Sequence, residues 1–389
     1  MQDKKVWSLN ILPSWLDKIT PILWILLIIF NFFISFGVRD LNPDFPLHNV
    51  WILESYVYGF SFYNLYHDFT ALILHLSFGA ISIETAVFLT VSIMRVLYTY
   101  GVYYFCRKYT NMSKFRIFFL TGVITIGASI PNFFSNRIMY DYATGLNIWH
   151  NPTTFTVMPF VVVTMFLFYK AICIIKEEET TLKQRIVASL FLCIMLLISV
   201  YGKGSWFPPM ALGSGMYLFY YWASDRFSKK RFIDCLIIGF AFIPAGLYTL
   251  WLSTQTIYSV DLVIGITNYI RPVGVLLNMS LPIVTLVLLG KNRIKNNPLV
   301  LISWLVHISA ILIGVFLIEY GRESHGNMTW GILYANIMLV MTSLIAVMDY
   351  IKSNPICIKT KIIFGLAFIH LGSGGLYAVM IVFTRQYIF

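Results

Sequence analysis

The sequence predicts an all-α, polytopic transmembrane helical bundle. Of its 389 residues, 58% are hydrophobic and only 12% are charged, and the mean hydropathy is +0.76. A soluble chain carries about 25% charged residues, so half that share cannot cover a surface that faces water. The apolar residues also form runs of about 17 to 25 residues, the length that crosses a bilayer as a helix. These observations exclude a soluble enzyme and predict one transmembrane domain, 1–389, without a separate soluble domain.

The first predicted span is the apolar run 21–38, which follows three lysines. Because no small-residue cleavage site follows it, we expect a retained helix with a cytoplasmic N-terminus. The stretch 69–81 is too short to cross and is predicted to lie at the membrane interface, within a first extracytoplasmic loop over 39–83. About eleven spans result, the other ten being 84–106, 115–133, 155–175, 186–202, 207–223, 233–253, 272–290, 299–318, 329–350 and 362–384.

The basic residues support this count and orient the chain. With eleven spans, the predicted cytoplasmic segments hold 20 of the 28 Lys and Arg residues, as the positive-inside rule requires. The net charge of +11 is therefore explained by membrane orientation, and no nucleic-acid partner is expected. The polar residues that orientation does not require lie outside. We expect an extracytoplasmic site in a plasma membrane, of bacterial type, with membrane lipids as partners.

The first extracytoplasmic segment carries acids and histidines. Asp40, Asp44 and His48 follow the first span. Pro43 and Pro46 are predicted to keep the chain extended between these three residues. A first short surface helix is predicted over 48–58. A second, rich in Tyr and His, is predicted over 62–67 and then 71–76, and it includes Tyr66 and His67.

These features resemble the GT-C superfamily of polytopic glycosyltransferases. The likeness lies in a first span that ends in an acidic loop, a surface helix, the Tyr- and His-rich stretch 62–67 and a next span that ends in Arg107 and Lys108. It covers residues 1–110. The resemblance implies an inverting transfer of a sugar from a polyprenyl-phosphate-linked donor to an extracytoplasmic glycan or lipid-linked acceptor, in cell-envelope polysaccharide assembly. Many members carry adjacent acids here, whereas Asp40 and Asp44 are four residues apart, so either acid can be the base.

The chemistry assigns roles to these groups. Transfer to a hydroxyl needs a carboxylate that takes the proton and cations that stabilise the departing phosphate. Asp44 is the candidate base, and Asp40 is the candidate that orients it or joins it in binding a divalent cation such as Mg²⁺ or Mn²⁺. His48 is the third catalytic candidate. The alternative is that the two acids are solvated loop residues or a helix cap.

The other extracytoplasmic segments supply candidates for substrate and phosphate binding. Arginine presents a planar fork to phosphate, lysine presents a point charge, and glycines allow close backbone approach. The candidates are Arg322, His325, Asn327, Lys203, Glu319, His150, Asn151, Arg137, Asp141, Tyr66 and His67. The structural alternatives are helix capping for His150 and Asn151, snorkelling for Lys203 and a salt-bridged turn for 319–331.

The sequence leaves three other functions open. A lipid-linked polysaccharide polymerase of the O-antigen or capsule type would depend on outward Arg and His groups more than on Asp44. A transporter or flippase of a lipid-linked glycan would place charges at the bilayer midplane. Arg95 and Lys170 are predicted toward the inner third of their spans, which favours the transferase. A membrane acyltransferase would use His150 or His325.

Overall fold

A computed structural model confirms the all-α bundle. It describes residues 14–39, 44–110, 112–128, 130, 151–177, 179–254, 262–264, 272–319, 329–354 and 356–384. The helices of these residues are α1 (Ser14–Val38), α2 (Asp44–Tyr58), α3 (Leu65–Leu76), α4 (Ile83–Tyr109), α5 (Lys114–Ile126), α6 (Pro152–Lys176), α7 (Leu182–Gly202), α8 (Phe207–Ala223), α9 (Lys229–Gly239), α10 (Ile243–Thr254), α11 (Pro272–Asn278), α12 (Ser280–Lys295), α13 (Pro298–Phe316), α14 (Trp330–Ser353) and α15 (Ile358–Thr384). Two short strands, β1 (Leu262–Ile264) and β2 (Leu317–Glu319), pair antiparallel, with Leu262 opposite Glu319.

Eight helical stretches of the described residues are long and apolar enough to cross a membrane. They are Trp15–Val38, Ile83–Tyr109, Pro152–Lys176, Leu182–Gly202, Lys229–Thr254, Pro298–Phe316, Trp330–Lys352 and Ile358–Phe383. Each corresponds to a predicted span, and the fifth continues from α9 into α10 through a 3₁₀ turn. The chain is therefore a multi-pass membrane protein.

The other three predicted spans, 115–133, 207–223 and 272–290, are shorter or interrupted helices. α8 has 17 residues, and the third region is divided between α11 and α12. α5 has 13 residues, a rise of about 20 Å, which is short of about 30 Å of hydrocarbon. In the part of the chain that the structure describes, eight of the eleven predicted spans are thus helices of spanning length, and the other three are shorter or interrupted.

α5 ends early because the chain leaves it to bond with the middle of α15. The backbone N–H of Ala128 donates to the carbonyl of His370 at 3.1 Å, and His370 Nδ1 lies 2.8 Å from the carbonyl oxygen of Ala128. The helices approach closely here, since a Cβ on Gly374 would overlap the carbonyl oxygen of Ile126. These bonds satisfy backbone groups that lipid cannot satisfy.

α14 forms the centre of the bundle. The most apolar window of its span, within Trp330–Lys352, is fully buried, whereas only 28% of the corresponding window of α1 is buried. The residues of α14 itself are mostly apolar or small on every face of the helix. A helix of this kind is stable only when other helices enclose it. The helices that carry the polar groups are packed around this core.

The two predicted short helices of the first loop are present, with different bounds. α2 begins at Asp44, four residues earlier than predicted, and α3 begins at Leu65. The prediction that Pro43 and Pro46 keep the chain extended between Asp40 and His48 is wrong at Pro46, which lies in the first turn of α2. Proline is tolerated there because the first N–H groups of a helix have no intrahelical partner.

Arg95 lies at the middle of its helix, not toward the inner third as predicted. It is the thirteenth of the 27 residues of α4 and is only 2% exposed. Its Nε donates to Oδ1 of Asn31 on α1 at 2.8 Å, and its guanidinium lies 5.5 Å from the ring centre of Phe155 on α6. A charge buried at mid-helix links three helices.

Candidate functional site

Two histidines meet where α2 packs against α3. Nδ1 of His48 lies 2.7 Å from Nε2 of His67. The ring of Trp51 is 5.0 Å from that of His48 and 5.4 Å from that of His67, and Tyr66 packs edge-on against His48. Because a neutral imidazole has one donor and one acceptor nitrogen, one ring must donate to the other. The contact therefore fixes both rings relative to each other.

Burial keeps both imidazoles neutral. Burial lowers the pKa of His67 to about 4, although the neighbouring Asp68 carboxylate opposes the shift. Burial also lowers the pKa of His48 to about 2, assisted by the charges of His67 and Lys203. Tyr66 is fully buried, which raises its pKa, and its hydroxyl bonds to none of the described residues. At neutral pH this pair can exchange a hydrogen bond without introducing a net charge.

Asp68 anchors the loop that follows α2. One carboxylate oxygen accepts from the backbone N–H of Phe62 at 2.9 Å and from the hydroxyl of Tyr201 on α7. The other accepts from the backbone N–H of Ser61 at 3.2 Å. With both oxygens engaged and the residue 4% exposed, Asp68 acts as a structural anchor between α3 and α7.

Lys203 forms a second polar centre at the end of α7. Its Nζ lies 3.0 Å from Oγ1 of Thr153 and 3.3 Å from Oδ1 of Asn151, and 4.0 Å from the ring centre of Trp330. Asn151 is the N-cap of α6, since its side chain accepts from the backbone N–H of Thr154 at 3.2 Å. The capping role considered for Asn151 is thus present. The same oxygen also accepts a hydrogen bond from the ammonium of Lys203.

These contacts bring several of the predicted polar segments to one end of the bundle. The charge of Lys203 lowers the pKa of His48, so the turn after α7 and helix α2 interact electrostatically. Trp330 directly follows the segment that carries three predicted phosphate-binding residues. Asn151 and Lys203 lie at the start of α6 and the end of α7. Lys176 and Arg185 lie at the opposite ends of those two helices. Binding candidates that are distant in sequence therefore share one region.

Other predicted site residues lie outside the described residues. The structure describes only the backbone of Asp44, at the first position of α2, and of Glu319, at the end of β2. Those fully outside are Asp40, Arg137, Asp141, His150, Arg322, His325 and Asn327. In the described part of the chain, no group of three or more His, Cys, Asp or Glu side chains is arranged to hold a metal ion.

A cleft of about 420 Å³ opens beside His67. Its walls are the exposed face of the second half of α2 and the loop that Asp68 anchors. The lining residues are Trp51, Glu54, Ser55, Tyr58, Gly59, Ser61, Tyr63 and His67. The predicted site residues did not include Glu54, Asp68 or Tyr201. The helical spacing of 51, 54, 55 and 58 would have indicated Glu54, and its place beside His67 would have indicated Asp68.

No model of a known protein family matches this chain, and no curated protein matches it. The chemistry of the site is therefore inferred from its own residues.

Proposed function

We propose that the protein is an inverting, GT-C-like membrane glycosyltransferase. It transfers a sugar from a polyprenyl-phosphate-linked donor to a glycan or lipid-linked acceptor on the extracytoplasmic side of a bacterial plasma membrane, in cell-envelope polysaccharide assembly. One observation carries the proposal: Lys203, whose charge lowers the pKa of His48 in the histidine pair of α2 and α3, also contacts Asn151 and Trp330. Such a region offers neutral hydrogen-bonding groups and a cation together.

The transfer forms one bond and breaks one. The acceptor oxygen attacks the anomeric carbon of the donor sugar while the bond from that carbon to the phosphate oxygen breaks. The hydroxyl proton passes to the candidate base Asp44, and the electron pair leaves with the polyprenyl phosphate. α2 begins at Asp44, one helical turn before His48, so the candidate base and the histidine pair belong to neighbouring turns. Asp40 and Asp44 stay the candidate ligands of a divalent cation.

Lys203 is the proposed partner of the departing phosphate. Its ammonium is held between Thr153, Asn151 and the face of Trp330. A positioned ammonium attracts the negative charge that develops on a departing phosphate. The segment that precedes Trp330 carries Arg322, His325 and Asn327. We propose that these residues complete the phosphate site, in which Arg322 donates two hydrogen bonds to the phosphate oxygens.

The experiment is a transfer assay on the purified protein in nanodiscs, with lipid-linked sugars extracted from cell membranes as donors. Asp44→Asn removes the base without changing its size and is expected to lower the rate by about 10²- to 10⁴-fold. Glu179→Gln, in the turn between α6 and α7 at the opposite end, is the control and should transfer normally. Normal transfer by both Asp44→Asn and Asp40→Asn would contradict the proposal. Loss in Arg322 and His325 variants without loss in Asp44→Asn would favour the polymerase.

A transporter or flippase of a lipid-linked glycan is the second candidate. The observation that favours it is the burial of Arg95 at the middle of α4, because ionisable groups inside a membrane often mark a substrate path. Vesicles that contain the protein and a fluorescent polyprenyl phosphate distinguish the two functions. Translocation of the lipid that is lost in Arg95→Met, without sugar transfer in the first assay, would favour the transporter.

A further inference from the structure

The cleft beside His67 is preformed by the fold. Residues 51, 54, 55 and 58 recur at helical spacing, so they lie on one face of α2. The opposite wall is held by the bonds of Asp68 to the backbone of Ser61 and Phe62, and the hydroxyl of Tyr248 donates to the carbonyl of Phe62. Gly59, with φ +97°, makes the turn between the two walls in a conformation that glycine adopts readily. A ligand would enter without ordering this loop first.

The side chains of the cleft combine aromatic faces with polar groups. Tyr58 is 86% exposed, so its ring is not needed to fill space between the described residues. Trp51 packs one side against the histidine pair and also lines the cleft. The carboxylate of Glu54 is exposed on the same helix face and bonds to none of the described residues. A lipid chain in this cleft would cover the Glu54 carboxylate without donating a hydrogen bond to it. The expected occupant is therefore a ligand with hydrogen-bond donors.

A sugar ring matches this combination. Its C–H faces pack against aromatic rings, and its hydroxyls donate to carboxylates and accept from serine and histidine. The volume of about 420 Å³ suits one or two sugar rings, since small-molecule sites span about 300 to 1,000 Å³. A quaternary ammonium is the other ligand that aromatic rings beside an acid can hold, but it offers no hydroxyls to Ser55, Ser61 or His67.

We propose that this cleft is the acceptor subsite, in which Trp51 and Tyr58 pack against a saccharide ring and Glu54 accepts hydrogen bonds from its hydroxyls. The acceptor role rests on the proposed transferase, whereas saccharide binding does not. His67 lines the cleft and bonds to His48, which lies one turn after the candidate base. A saccharide in the cleft therefore lies beside the proposed reaction centre.

Saturation-transfer difference NMR on the full chain in nanodiscs tests the binding. The probes are the methyl glycosides of glucose, galactose, mannose, rhamnose and N-acetylglucosamine, with choline as a separate probe. At least one glycoside is expected to bind, with affinity reduced 10-fold or more in Trp51→Ala and Glu54→Gln. Tyr58→Ala should show the same loss, and because Tyr58 is almost fully exposed, this variant keeps the test valid if Trp51→Ala fails to fold.

Matched controls lie at the other end of the bundle. Trp15→Ala, near the start of α1, and Glu179→Gln should bind as the unchanged protein does. The proposal is overturned if no glycoside binds, if choline alone binds, or if Tyr58→Ala and Glu54→Gln retain full affinity. Glycoside binding that is lost in those variants, in a protein that transfers no sugar, would retain the saccharide site and reject the proposed transferase.

Discussion

Nδ1 of His48 and Nε2 of His67 lie 2.7 Å apart, so one hydrogen bond joins α2 to α3 inside a buried aromatic environment. The charge of Lys203, the proposed phosphate partner, lowers the pKa of His48, and His67 lines the proposed acceptor subsite. A change at either ring is therefore expected to affect both sides of the site.

The histidine pair should make stability depend on pH. Both pKa values in the folded protein lie below the ordinary 6.5, so between those values and 6.5 the unfolded chain binds more protons. The stabilisation is thus fully present above about pH 6.5 and is lost as the pH falls toward the folded-state values. From His67 alone, the loss at pH 5 is about 2 kcal/mol.

Thermal unfolding at pH 7.5 and pH 5.0 measures this effect. The double variant His48→Asn and His67→Gln retains hydrogen-bonding groups at similar positions but cannot titrate, so its melting temperature should change less with pH. His75→Gln, an exposed histidine on α3, is the control and should keep the pH dependence of the unchanged protein. An equal pH dependence in the double variant would exclude the pair as its source.

Asp68→Asn should loosen the loop between α2 and α3. An amide places an NH₂ group where the carboxylate accepts from backbone N–H groups and from Tyr201. A buried group without its partner costs about 1 to 3 kcal/mol. Tyr201→Phe removes only one of these bonds and should cost less. Melting temperatures of the two variants check the order, and a larger loss in Tyr201→Phe would show that Asp68 is not the anchor.

Lys203→Ala should weaken the binding of polyprenyl phosphate by 10-fold or more, and the loss should shrink as salt screens the interaction. Lys230→Ala, at the exposed start of α9 near the opposite end, is the matched control and should bind normally. Binding is measured on the purified variants by the quenching of a fluorescent lipid. Affinity that is the same in both variants would remove Lys203 from the phosphate site.

Arg95→Lys tests whether the buried charge has a structural role. The ammonium keeps the charge but cannot reproduce the Nε bond to Asn31 and the guanidinium face toward Phe155. We expect a loss of stability on the order of 1 to 3 kcal/mol, with transfer retained at temperatures where the variant is folded. A variant of normal melting temperature that has lost activity would instead assign Arg95 to the substrate path.

Gly374→Ala should destabilise the bundle, whereas Gly375→Ala should not. A Cβ at 374 would overlap the backbone of Ile126, but a Cβ at 375 would meet none of the described atoms within 4 Å. Because alanine favours helix over glycine by about 1 kcal/mol, Gly375→Ala should be neutral or stabilising. Melting temperatures of this adjacent pair separate close packing from helix propensity. Equal effects at both positions would contradict the close approach of α5 and α15.

The long apolar helices were predictable because hydropathy and length determine them locally. The bounds of α8 were also predicted, but a 17-residue helix does not reach the length of the others. The end of α5 was predictable only in part. Gly127 and Pro131 follow Ile126 and are local stop signals, but the apolar residues around them favoured a longer span. The bonding partner, His370, lies 242 positions from Ala128 and could not be identified locally.

The site was predictable in part for the same reason. Residue type and position outside the spans were sufficient to single out His67 and Lys203. Their surroundings were not, because the bond from Tyr201 to Asp68 joins positions 133 residues apart. The start of α2 at Asp44 depends on the tolerance of a first helical turn for Pro46, which the proline pattern alone did not indicate.

The joint between α5 and α15 also constrains the order in which the chain matures during synthesis. α5 leaves the ribosome long before His370 and Gly374 are translated, so its last turn enters the membrane without its bonding partners. Until α15 is released from the translocon, those backbone groups must be covered by other protein or by water. The contact of α5 with α15 therefore forms late, when a helix synthesised much later closes over an early one.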